Sequence, residues 1–423
     1  MFSSIFFTVY RWLQKIRKSN YVILAILMII YFGNVMFTSF EKDSKYTSPQ
    51  NVDRSEFAGS AACAGCHKDI YESHIKTAHY LDSRPASKEF IKGSFAPGKN
   101  KFIYNQWMEV RLEKKNNNYY QTAYIKGVEY QSEPFEIVIG SGRKGQTYLY
   151  WNDSVLYQLP VSYYTPLNSW CNSPGFPGNF IKFDRMIPAE CLECHGTYAK
   201  VEDKNDVPVY DKAKIIFGID CERCHGPAAE HVAYHTAHPD EKIAKNITII
   251  KQLTRQQRLD GCALCHSGFR KAIQPRFSFM IGDSLGEFST AGYSSDSIST
   301  LDVHGNQYGL LMASKCFKMS NTLDCSSCHD PHVNEANKPE IFSQRCIACH
   351  TEPKHTTLPG DKKLLLTKNC IDCHMPMLPS KKIILDVTDS ENAVPDLVRT
   401  HRIAIYPEIT KAFLEKMKTV NKN

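Results

Sequence analysis

Little cysteine is left over in this chain. Fourteen of the sixteen cysteines among its 423 residues fall in one repeated pattern, and only Cys171 and Cys316 stand outside it. A scaffold held by several disulfides is therefore excluded, and those two residues either form one bridge or remain separate buried thiols. Charge of one sign is also in short supply: 51 Lys and Arg against 44 Asp and Glu leave +7. Negative groups on a bound cofactor would offset that excess, so nucleic-acid binding is excluded as a reading. Long apolar stretches are limited to residues 21–37, interrupted by Asn34 and preceded by Arg11, Lys15, Arg17 and Lys18. No small-x-small cleavage site follows, and the first cysteine is at position 63, which argues against a lipoprotein. The stretch is expected to be an uncleaved N-terminal transmembrane helix with its basic flank cytoplasmic and the rest of the chain outside.

What is present in quantity is Cys-x-x-Cys-His, seven times. The residues are Cys63, Cys66 and His67; Cys191, Cys194 and His195; Cys221, Cys224 and His225; Cys262, Cys265 and His266; Cys325, Cys328 and His329; Cys346, Cys349 and His350; Cys370, Cys373 and His374. Two thiols at this spacing can each form a thioether to a haem vinyl group, and the next histidine then meets the iron as proximal axial ligand. Zinc would use such pairs two at a time, whereas seven is odd and every pair carries the trailing histidine. The pattern predicts seven covalently attached haem c groups.

Nine histidines remain: His74, His79, His231, His235, His238, His304, His332, His355 and His401. Seven bis-histidine irons are thus arithmetically possible, which favours electron transfer over catalysis, because a six-coordinate iron has no open position for a substrate. Met375 and Met377, so close to His374, are read as packing residues.

The proximal histidines are unevenly spaced, with 128 residues between His67 and His195 and six of the seven together over 165–407. In the gap, Met108, Val110 and Leu112 alternate with Glu109, Arg111 and Glu113. A turn at 114–118 and a second extended run at 119–125 follow. Residues 101–164 are read as a small inserted antiparallel sheet, serving as a scaffold or as a docking surface or substrate wall. The fold expected overall is mainly α with extensive loops, wrapped around stacked haems that supply much of the apolar core. Its parts are a flank and anchor at 1–40, a tether at 41–57, a first haem segment at 58–100, the insert, the six-haem region at 165–407, and a terminal helix at 408–423. In the last of these, Ile409, Phe413, Met417 and Val420 share one face.

The runs Cys325-Ser-Ser-Cys-His-Asp-Pro-His332, Cys221-Glu-Arg-Cys-His-Gly-Pro and Cys370-Ile-Asp-Cys-His-Met-Pro resemble the multihaem cytochromes c of the cytochrome c-554 type with doubled haem motifs. The resemblance extends to Val138-Ile-Gly-Ser-Gly142, Thr147-Tyr-Leu149, Leu159-Pro-Val-Ser162 and Ser173-Pro-Gly175, and covers most of 57–405. It implies that His332 is the distal ligand of a neighbouring haem, and that His79, His231, His304 and His401 are distal ligands too. The last two distal ligands are drawn from His74, His235, His238 and His355. Related enzymes with a Cys-x-x-Cys-Lys catalytic site have a motif this chain lacks, which weakens a reading of nitrite or hydroxylamine chemistry. The leading expectation is an electron carrier on the periplasmic side of the inner membrane, taking electrons from a quinol-oxidising membrane donor or a soluble donor. The alternatives are an oxidoreductase with one five-coordinate haem acting on a small nitrogen or sulfur compound, and a structural subunit of a respiratory complex.

Overall fold

A computed structural model describes residues 53–293, 297, 301–351, 368–387 and 393–420. The apolar stretch at 21–37 and most of the tether lie outside the described residues. Among the described residues no helix is long and apolar enough to cross a membrane.

The expectation of a mainly α fold with a small β insert and a membrane helix is corrected. Helix and strand take nearly equal shares, 28% and 29%. The reason is visible strand by strand. Met108–Lys115 and Asn118–Ile125 pair residue for residue through a two-residue turn at Asn116 and Asn117, both with positive φ, the conformation a tight hairpin requires. Val110 and Leu112 are fully buried, while Glu109 and Arg111 form an ion pair on the other face. With Lys101–Asn105 and Val128–Pro134 these strands make a four-stranded sheet. A seven-stranded sheet built around Gly145–Asn152 packs on it. The shared core holds Phe102, Leu112, Phe135, Tyr148, Val161 and Trp170, each contributing about 1.5–3 kcal/mol on burial.

Strand structure continues where short helices and loops were expected. Gly196–Lys204 and Val207–Phe217 form an antiparallel ribbon, and so do Met377–Leu385 and Val394–Arg399. Each ribbon leaves one haem motif and returns to the haem region. The first rises directly from His195 and comes back at Gly218, so motifs two and three, thirty residues apart in sequence, end up side by side. Thr197 ties them: its hydroxyl donates to the Gly218 carbonyl at 2.7 Å and accepts the Asp220 N–H at 2.8 Å. The second ribbon leaves His374 and delivers His401.

The motifs themselves sit on short helices: Ser60–Cys63, Ala189–His195, Cys221–His225, Arg255–His266, Pro339–Ile347 and Ile371–His374, with a 3-10 turn at Cys325–Ser327. Thr254 caps the longest of these with a reciprocal bond pair to Gln257. A terminal helix, Pro407–Val420, packs against Ile371–His374.

Candidate haem sites

The motif histidines are brought opposite histidines that are remote in sequence. His79 faces His266 with ring centres 6.1 Å apart, His332 faces His225 at 6.2 Å, and His401 faces His329 at 6.1 Å. An iron with an imidazole nitrogen about 2 Å away on each side separates two ring centres by roughly 6 Å. His304 lies beside His195 as well, close enough for their charges to interact. Among the described residues no three or more His, Cys, Asp or Glu converge as a bare metal ion would need.

The nitrogen engaged by a protein acceptor is the same in case after case. Nδ1 of His195 lies 2.8 Å from the Asp82 carboxylate, that of His225 lies 3.1 Å from the Thr248 carbonyl, and that of His374 lies 2.9 Å from the Ala404 carbonyl. Nδ1 of His231 lies 2.7 Å from the Lys245 carbonyl, that of His332 is 3.2 Å from the Asp330 carboxylate, and that of His401 is 3.3 Å from the Arg399 carbonyl. A proton placed at Nδ1 would leave Nε2 as the nitrogen to meet a metal, and these acceptors are the partners that orient an imidazole on a metal. Burial, together with the facing His266, pushes His79 down to about 4, and burial, together with His329, does the same to His401. Both rings are therefore held neutral, the form that ligates. At His195 burial acts in the same direction, but the charge and hydrogen bond of Asp82 outweigh it and raise the group.

His79 and His266 are exposed, yet enough protein surrounds them for desolvation to lower both. Thiols of different motifs lie near one another. Cys63 lies close to Cys221, Cys194 to Cys265, Cys262 to Cys325, and Cys346 to Cys370. Cys224 is near Cys262, and Cys328 is near Cys349. Thiols for thioethers and facing imidazoles together fit haem c.

Other expected ligands are placed as follows. His67 and His350 are exposed, and His231 is on the helix Ala229–Ala237, which packs against the turn Arg54–Glu56 just before the first motif. His74 is buried with both ring nitrogens at backbone carbonyls, of Pro331 at 3.3 Å and Ile219 at 3.1 Å. Cys171 and Cys316 are not bridged. Cys171 is packed with Tyr164 and Leu385 and pushed up to about 12 by burial, while Cys316 lies beside Cys328, Cys346 and Cys349.

The residues between the paired cysteines, which the motif leaves unspecified, prove to be anchors. Glu222 is fully buried and accepts the N–H groups of Ala58, Gly59 and Ala228, each at 2.8 Å. Glu193 accepts from Arg276 at 2.9 Å and from the Phe277 N–H at 2.8 Å. Asp372 pairs with Arg399 at 2.6 Å, and Asp324, just ahead of Cys325, pairs with Arg258 at 2.6 Å. Four arginines, counting Arg345 with Glu335, are thus engaged by protein carboxylates.

Residues 181–226, which carry motifs two and three, match the family described as cytochrome c554 and c-prime. No curated protein matches the chain. Among solved structures, the outer cell wall cytochrome OcwA is similar in fold, with a TM-score of 0.52 at 15% identity, covering 84% of this chain and 81% of that one. These findings support a multihaem c-type cytochrome. The family match is confined to the segment of motifs two and three, and the likeness to OcwA is one of fold.

Proposed function

We propose that this chain holds seven haem c groups and relays electrons among them, in a compartment outside the cytoplasm to which the apolar segment at 21–37 directs it. Haem c supplies the reversible one-electron iron couple. The protein's residues do the rest. Fourteen motif thiols fix position, the motif histidines hold one axial place each, and His79, His304, His332 and His401 hold the opposite place at His266, His195, His225 and His329. His231 is assigned to His67.

One observation carries the reading: every motif has a cysteine against, or close beside, a cysteine of another motif. This proximity links motif one to three, three to four, four to both two and five, five to six, and six to seven. Electron relay needs this continuity, and isolated structural haems do not. The partners on this reading are redox proteins, a membrane quinol-oxidising or soluble donor on one side and an acceptor on the other. Stepwise reduction of the oxidised protein by a strong one-electron donor is expected to consume seven equivalents and leave no ferric haem. A fraction that stays ferric under excess reductant contradicts the relay.

A further inference from the structure

We infer that Asp302 is a positioning residue for the haem on His195: it docks the segment carrying His304 onto the ribbon of Met377–Leu385 and Val394–Arg399, and that seat holds the His304 ring at the iron. The inference rests on the assignment of His304 as the distal ligand of that haem, and it names what keeps the ligand in place.

One carboxylate makes two kinds of bond. Its Oδ1 accepts the His304 N–H at 2.8 Å, a turn between residues two apart that a short loop forms by itself. The same oxygen also accepts from the Ser380 hydroxyl at 2.8 Å, and Oδ2 accepts the Lys381 N–H. These partners are 78 and 79 residues away in sequence, and a local turn has no need of them. Bonds to an ionised carboxylate are the strong ones, so Asp302 joins the loop to the ribbon firmly. Within the loop, the Asn306 side chain donates to the carbonyls of Asp302 and His304, each at 3.1 Å. Val303 is buried and His304 exposed, which anchors the backbone while leaving the imidazole accessible.

A seat must itself be fixed, and the ribbon is. Ser380 is buried, and its hydroxyl oxygen accepts the N–H groups of Lys382 at 3.1 Å and Ile383 at 2.9 Å. Asp396, buried on the second strand, accepts from Lys144 at 2.8 Å and from the Tyr164 hydroxyl at 2.6 Å. The Asp386 carbonyl, just past the first strand, accepts the Asn172 N–H at 3.0 Å. The ribbon is thereby tied to the β region, and His304 is close enough to Asp396 and Lys144 for their charges to interact. On the other side of His304, the Gly305 carbonyl accepts the N–H of Gly268, two residues past His266, at 2.7 Å. Breaking the Asp302 link leaves the loop held on that side only. The same ribbon delivers His401 to His329, so the histidines facing two motifs rest on one element. Bonds of this kind behind a ligand fix the orientation of its ring on the metal.

The test uses the full-length holoprotein, with its haem content counted and the electron paramagnetic resonance spectrum of the oxidised protein as readout. His304→Ala comes first. It is expected to add one high-spin haem to the spectrum; no change means that His304 is not a ligand, and the assignment beneath the inference fails. Once that conversion is seen, Asp302→Ala is expected to give the same high-spin signal in part of the molecules at unchanged haem content. Added imidazole is expected to return it to low spin by taking the place His304 has left. A spectrum for Asp302→Ala identical to that of the unsubstituted protein overturns the inference and leaves His304 as ligand. A high-spin signal that imidazole does not remove, or a loss of haem, gives Asp302 a role in folding alone and overturns the inference as well. Should Asp302→Ala not fold, Asp302→Asn keeps the shape and one accepting oxygen while replacing the other with a donor. It is expected to produce a smaller high-spin share, again removed by imidazole, and a share of zero contradicts the inference.

Discussion

Asp82 is 113 residues from His195 in sequence, yet its carboxylate meets Nδ1 of that ring at 2.8 Å. A negative group there makes the imidazole a stronger donor and favours ferric iron. Asp82→Asn keeps the shape and removes the charge. The potential of one haem is expected to rise by about 60–120 mV, the electrical equivalent of a 10–100-fold change in relative ligation, and a redox titration that shows no haem displaced argues against the pairing. Glu222 makes a second residue-scale case. Glu222→Gln replaces one of two accepting oxygens with a donor, leaving at least one buried N–H unpaired at a cost of about 1–3 kcal/mol. A lower melting temperature at unchanged haem content is the expected outcome. The thioether positions and their adjacent histidines are legible in sequence because they are covalently local. Asp82 and the partners of Glu222 are not, since only the folded chain brings them there.

Distal ligands show the same division at the level of elements. His401 reaches His329 because the ribbon Met377–Leu385 with Val394–Arg399 carries it back, and His79 is held by a bond from the Ile219 N–H to its carbonyl at 2.9 Å. Neighbouring Gly218 has φ of +70°, and a Cβ there would run into the Tyr80 carbonyl. Gly218→Ala is expected to cost about 1–3 kcal/mol from backbone strain alone. It should also loosen His79, seen as a new high-spin haem, and an unchanged low-spin spectrum would contradict that link. Replacing His332 or His401 by Ala is expected to convert one haem each to high spin, whereas His74→Asn converts none, although His74 is the more deeply buried. The alternation around Val110 and Leu112 was readable since one face of that sheet is buried and the other solvated. The ribbons at 196–217 and 377–399 were not. Their outer ends are exposed on both faces, as in Lys200–Lys204, so no period of two marks them.

At the scale of the whole molecule, the expectation of a mainly α architecture failed because the haem motifs were taken to govern the chain between them. They govern only a few residues each, and the intervals are filled by strands with cores of their own, including the cluster of Phe102, Leu112, Tyr148 and Trp170. The β region has a packed apolar interior, while the motif region has facing imidazoles that are exposed at His79, His266 and His329. Chain expressed without haem attachment is therefore expected to lose the motif region selectively. Proteolysis should spare fragments from about 83–172 and degrade the rest, and equal resistance throughout would count against the division. The most direct test of the account remains the number of haem groups covalently bound per chain, from intact mass together with the pyridine haemochrome absorbance of the purified protein. The account predicts seven; a colourless protein, or one carrying zinc at the cysteine pairs, would contradict it.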